Sequence, residues 1–291
     1  MEMNKLLVVA ASAVLASSAS ATPLFSDDFN DPAGVSQWTP FLTSDAGLDY
    51  SYDYSALGIP SANGSDTLGI RFKVNDTEGA AHTAFAMSNT SFSGSFAISF
   101  DMYLHVADFE LLGTTEFATY GLNATGAGSL SGASWSDGLG FANSLEGGSA
   151  IDLRVYDEGS QLPDTDAGFI ADPADGNVDS TDFHPYYTDY FGDTGLPTNT
   201  WSRVTISQTV VEGGRLIDWS IGGLPISQRL VTSGSDAGMF YIGGADIFSS
   251  IENSDDVAVL YDNVEVVPEP ASMLALGAGL AALSARRRRN K

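Results

Sequence analysis

The 291-residue sequence contains no cysteine, which excludes disulfides, thiolate metal centres and cysteine nucleophiles. It is nearly as poor in positive charge. Lys and Arg number 12 against 37 Asp and Glu, a formal net charge of −25. So acidic a surface repels phosphate, which argues against nucleic acid or anionic lipid as a partner. Histidine occurs only at 82, 105 and 184, and none of the three stands at a metal-ligand spacing such as His-x-x-x-His. Neither a Gly-x-x-x-x-Gly-Lys phosphate loop nor a Gly-x-Ser-x-Gly nucleophile elbow is present. Between residues 22 and 267 there is no sustained helical stripe of apolar residues.

What the chain does have is glycine, 31 residues, with 16 Phe, 11 Tyr and 4 Trp, and an apolar fraction of 43 % that is enough to bury a core. Its dominant period is two. Leu68–Val74, Ser95–Leu104, Ile151–Tyr156, Ser202–Val211, Leu216–Ile221 and Val257–Val266 each alternate apolar with polar or small residues, as a strand with one buried face does. Turn signals separate them at Asn63-Gly64, Glu212-Gly213-Gly214, Gly222-Gly223 and Gly243-Gly244. The pattern predicts one all-β domain over 22–267, a two-sheet antiparallel sandwich. The Asp-, Gly- and Pro-rich stretch from Gln161 to Thr200 reads as a long excursion from it.

Both ends read as addresses. Residues 1–21 carry Lys5, an apolar run from Leu6 to Leu15 and the small-residue ending Ala19-Ser20-Ala21, the layout of a secretory signal peptide cleaved after Ala21. At the other end Pro268-Glu269-Pro270 precedes an apolar run, Ala271 to Ala285, and then Arg286, Arg287, Arg288 and Arg289. The run is shorter than the ~20 residues of an ordinary membrane-spanning helix, and the arginines would hold its end on the cytoplasmic side. A plain single-pass anchor is the alternative. Between the two ends only six basic residues remain, against 36 acidic when Glu269 is counted.

These three C-terminal parts, in this order, resemble the PEP-CTERM sorting signal. The resemblance implies an exosortase-type transpeptidase as partner during sorting, transient inner-membrane insertion through the C-terminal helix, and removal of the tail. It implies a final location at the cell surface or in the extracellular matrix. Pro268, Glu269 and Pro270 would be the recognition element. More loosely, the opening Phe25-Ser-Asp-Asp-Phe29 with Trp38, the strand Trp201–Ile206 with the hairpin that follows it, and the closing Leu260–Val266 resemble concanavalin A-like, laminin G-type jelly rolls. In that fold the first and last strands lie near each other, and glycan or surface association follows by analogy.

Chemistry is sparse. Enzymes of this fold that cut β-glucans place Glu, Asp and Glu at alternate positions of one strand. Here the nearest approach is Asp108 and Glu110, with Glu116 six residues on, which reads as an acidic strand end rather than a catalytic set. A candidate calcium loop offers Asp172, Asp175, Asn177, Asp179 and Asp182 around the turn residue Gly176. Ala171 and Pro173 occupy two of its ligand positions, so it is no complete EF-hand. Candidate sugar-stacking aromatics are Trp135 in a glycine-rich turn and Tyr186, Tyr187 and Tyr190 beside His184. Trp38, Trp201 and Trp219 are expected in the core. The sequence therefore predicts an exported, non-catalytic surface or exopolysaccharide-matrix protein that binds glycan with calcium. A glycan hydrolase of the same fold and a calcium-dependent, laminin G-like protein-binding module stay open as alternatives.

Overall fold

A computed structural model of the chain describes residues 22–107, 116–126, 130–131, 134–135, 137–145, 152–157, 159–163, 166–170, 197–248 and 256–269. Seventeen strands are found among them. One sheet holds β1 (Phe25–Asp27), β3 (Ala46–Asp53), β4 (Leu68–Val74), β6 (Phe96–Val106), β13 (Ser202–Val211), β14 (Gly214–Ile221), β15 (Leu224–Val231) and β17 (Val257–Pro268). Its order is β15-β14-β13-β6-β17-β4-β3, with β1 also on β17. The other holds β2 (Trp38–Leu42), β5 (His82–Ser93), β7 (Glu116–Ala124), β8 (Leu130–Ser131), β9 (Ser134–Trp135), β10 (Leu139–Ser144), β11 (Leu153–Asp157), β12 (Ser160–Gln161) and β16 (Ala237–Asp246). Its order is β2-β5-β16-β7-β10-β11-β12-β9-β8. Every strand pair is antiparallel, and the fold is the all-β, two-sheet sandwich that the alternation predicts, in the jelly-roll form that the resemblance implies.

The period-two stretches place their apolar residues between the sheets. In β6 Phe96, Ile98, Phe100 and Met102 are buried and the residues between them are not, as the pleat requires. Their ladder partners Val204 and Ile206 on β13, and one strand further Ile217, Trp219 and Ile221 on β14, join the same core. Phe100 stands edge-on to Tyr120 at 5.1 Å and to Tyr261 at 5.3 Å. The first and last strands pair as expected, Phe25 opposite Val266.

Polar groups inside this core are tied across the sheets. Trp219 Nε1 donates to the Tyr120 hydroxyl at 3.1 Å, which donates to Asn143 Oδ1 at 2.9 Å. Tyr261 donates to the Gly243 carbonyl at 2.7 Å. Removing the middle of the chain strands the indole N–H in an apolar interior, so Tyr120→Phe is expected to cost about 1–2 kcal/mol. Urea unfolding checks this, and an unchanged midpoint would show that the chain carries no net stability.

The structure departs from the sequence reading in two places. Gly243-Gly244 is not a turn but lies inside β16. A Cβ at Gly243 would collide with the Ala84 carbonyl and the Phe85 ring, and one at Gly244 would come within 3.3 Å of Phe72 Cβ. The glycines are there because neighbours press on the strand from both sides. Trp201, expected in the core, is half-buried instead in a satellite cluster with Tyr54 and Tyr103, its Nε1 donating to the Pro60 carbonyl at 2.7 Å. Trp38 and Trp219 are in the main core. The second sheet also buries its other face. Phe85, Met87, Phe117, Tyr156 and Tyr241 form a separate apolar cluster there, which is why β7 and β10 are buried at every residue.

Candidate functional site

The best-defined functional feature begins where the sandwich ends. Strand β17 lies inside its sheet, paired with β6 on one side and β1 and β4 on the other. Its last residue, Pro268, stands opposite Phe96, and the Glu269 N–H continues the ladder by donating to the Ser95 carbonyl at 3.2 Å. A proline can occupy that position because it ends the strand and need donate nothing. Partial burial raises the Glu269 carboxyl above its ordinary range, a hydrogen bond from Ser207 opposes the rise, and the nearby Asp218 adds to it. The Pro268-Glu269-Pro270 segment therefore starts with no spacer between it and the folded sheet.

Residues 266–289 match the PEP-CTERM protein-sorting motif. The chain carries this sorting signal. It is thereby an exported protein, and the PEP-CTERM segment overlaps the end of β17 by three residues, Val266, Val267 and Pro268. Pro270 and Arg286 to Arg289 lie outside the described residues, as do Ala19 and Ala21 at the other end. Among the described residues no helix is long and apolar enough to cross a membrane.

No curated protein matches the sequence. Solved structures that resemble this one include a protein of unknown function with a galectin-like fold from Bacillus subtilis, at 10 % identity, TM-score 0.45, and coverage of 84 % of this chain and 96 % of that one. The cellulose-induced protein Cip1 stands at 13 % identity, TM-score 0.45, and coverage of 84 % and 96 %. A legume lectin-like domain from Entamoeba histolytica stands at 9 % identity, TM-score 0.44, and coverage of 86 % and 100 %. At these scores the likeness carries no functional weight.

The candidate calcium ligands Asp172, Asp175, Asn177, Asp179 and Asp182 lie outside the described residues, as do Tyr186, Tyr187, Tyr190 and His184. Trp135 ends β9, opposite Leu130. Of the acids considered for catalysis, Asp108 and Glu110 are outside the described residues, while Glu116 opens β7 and is buried. Register brings Glu116 beside Asp246 of β16, and Asp246 beside His82 of β5. Nothing local in the chain points to this row, because its members lie on three separate strands. Asp246 accepts hydrogen bonds from Asn75 Nδ2 and, at 2.7 Å, from the Phe248 N–H. The His82 ring faces the Thr43 hydroxyl at 3.0 Å and Glu78 at 3.4 Å. His105 is buried near the end of β6, 6.5 Å from the Tyr103 ring. Among the described residues no three carboxylate or imidazole groups converge to hold a metal ion.

Proposed function

We propose that this chain is a non-catalytic protein of the cell surface or exopolysaccharide matrix, delivered by an exosortase-type transpeptidase, whose β-sandwich binds glycan there with calcium. The observation that carries the sorting half is the PEP-CTERM motif running straight out of β17. With no spacer, the sandwich runs directly into the sorting segment, and it is the cargo that removal of the tail would release. Glycan binding is supported by the acidity of that cargo, since carboxylates accept hydrogen bonds from sugar hydroxyls and repel polyphosphates.

Two linked measurements test the reading. In the producing cell, the full chain is expected to lose its C-terminal tail and to fractionate with the surface or matrix, while a chain ending at Val267 bypasses that processing. Equal surface retention of both forms would overturn exosortase-type delivery. The full chain is then passed over the cell's own exopolysaccharide with calcium and with chelator. Retention only with calcium supports the complete reading, retention in both conditions removes calcium from it, and absence of retention overturns glycan binding. Release of reducing sugar, abolished by Glu116→Gln, would overturn the non-catalytic assignment.

A further inference from the structure

The sandwich grips the first two residues of the Pro268-Glu269-Pro270 segment. At Glu265 and Val266, β17 is paired on both sides, with β6 and with β1. Val267 and Pro268 are paired with β6 alone, opposite Ala97 and Phe96. The Glu269 N–H adds one bond to that ladder, to the Ser95 carbonyl at 3.2 Å. The Glu269 residue is half-buried, and its carboxylate accepts a hydrogen bond from the Ser207 hydroxyl. Ser207 lies between the buried Ile206 and Gln208 on β13, so its side chain stands on the outer face of the sheet. Ala97 is the ladder partner of both Ser207 and Val267, and its single methyl leaves the way across β6 open.

What distinguishes this segment chemically is two proline rings and one carboxylate between them. The carboxylate is engaged by Ser207, the Glu269 N–H by Ser95, and Pro268 by its place beside β6. An enzyme that reads the carboxylate or the backbone of Glu269 competes with those contacts, because the same groups cannot serve both. Release is a small event. Only residues 267–269 have to leave β6, since β1 still clamps the strand at Val266, and strand ends are where local opening is easiest. A partner that binds only the released form has its affinity reduced by the fraction of chains that are released. Asp218, the ladder partner of Ser207, stands beside the Glu269 carboxylate and repels it. The hold is therefore set by Ser207 against Asp218.

We propose that the folded sandwich withholds the sorting segment from the transpeptidase, and that local release of residues 267–269 from β6 sets the rate of tail removal. The proposal rests on the exosortase-type reading above and adds what the fold contributes to it. Ser207 is then a positioning residue for the processing reaction. It acts through Glu269, from a strand more than fifty residues away in sequence.

Two readouts on the full chain test this: the rate of tail loss in the producing cell, by pulse-chase, and hydrogen exchange of the Glu269 amide in detergent. Ser207→Ala is expected to speed both about threefold or more, by the same factor in each. A flexible Gly-Ser spacer inserted between Val267 and Pro268 frees the segment outright and should speed both about tenfold or more. Asp218→Asn removes the repulsion and should slow both, a direction that general destabilisation does not produce. Ser207→Thr keeps the hydroxyl and Thr205→Ala lies two residues away on the same face, so both should match the wild type. Equal rates of tail loss in every form overturn the proposal and spare the exosortase-type reading. Slower loss in the spacer form overturns it too, because the sheet would then be presenting the segment. A wild-type Glu269 amide that exchanges as fast as an unstructured one overturns it on the protein alone. Tail loss in no form, the spacer form included, overturns the exosortase-type reading and the proposal with it.

Discussion

The stability difference between Asp262→Asn and the wild-type chain will grow by about 2–3 kcal/mol between pH 5 and pH 8, in favour of the variant. Asp262 sits on β17, fully buried. Burial pushes its carboxyl up to about 7, against hydrogen bonds from the Asn263 N–H and the Tyr54 hydroxyl, and Asp66 and Asp101 add to the rise. The sign follows from where the proton sits. Between the ordinary carboxyl value of 3.8 and about 7 the folded chain keeps a proton that the unfolded chain has lost. Rising pH therefore drains stability through that window, by up to about 1.4 kcal/mol per pH unit, and the loss levels off above it. Asparagine does not titrate and fits the same contacts. Its Oδ1 can accept from the Asn263 N–H, as Asp262 does at 2.6 Å, and its Nδ2 can donate to the Tyr54 oxygen. The Tyr54 hydroxyl then turns its proton to the Asp66 carbonyl, already 3.4 Å away. Asp53, held below the ordinary range by hydrogen bonds from Ser55 and Thr67, acts in the opposite sense, but only near pH 4 and below, and equally in both chains. Denaturant unfolding of both proteins at pH 5, 6, 7 and 8 is the measurement, and a difference that stays flat with pH would falsify the assignment.

Asp27→Ala is expected to be the more damaging change, at about 3–5 kcal/mol. Asp27 ends β1 and is 8 % exposed. Its Oδ2 accepts from Trp38 Nε1 and from the Tyr50 hydroxyl, both at 2.7 Å, and its Oδ1 accepts from the Phe29 N–H at 2.8 Å. The last bond holds Phe29 at φ 57°, a left-handed conformation uncommon outside glycine. That conformation places the Phe29 ring, fully buried, 5.9 Å from Trp38 and 5.3 Å from Tyr50. Alanine would strand three donors and release the turn together. Tyr50 gives a second readout. Burial raises its hydroxyl well above the ordinary value, and the hydrogen bond from it to Asp27 and the Asp27 charge raise it further. In Asp27→Ala the phenol should ionise at lower pH, visible as ultraviolet absorbance of the phenolate. A stability loss below about 1 kcal/mol with unchanged phenol titration would show the three bonds to be dispensable.

Much of this architecture is legible in the residues because alternation is a local code. Which side of a strand is apolar decides which side faces the core, so Leu68–Val74 and Ser202–Val211 could be bounded from sequence as the structure has them. Gly222-Gly223, both at positive φ, makes the tight hairpin it suggests. The code fails where burial does not alternate. Strand β16 is covered on both faces, so its Gly243-Gly244 looks like a turn until the Ala84 carbonyl and the Phe85 ring are seen against it. Residue type alone puts Trp201 in the core, and nothing local says that it packs in the satellite cluster between Tyr54 and Tyr103.

The sequence by itself determined the sorting motif, the two-sheet sandwich and the acidity that restricts its ligands, because each is written in contiguous residues or in bulk composition. Only the tertiary structure decided which polar groups go unsatisfied and which acid is raised. Asn123 Oδ1 and Arg229 Nε, on β7 and β15 in opposite sheets, are both buried without a hydrogen-bond partner, a consequence of packing that neither stretch of sequence announces. Asp262 looks like any other acid in an acidic chain. Tyr54 and Asp66 arrive beside it from the β3–β4 connection, and desolvation depends on what packs around a group, which no stretch of neighbouring sequence specifies.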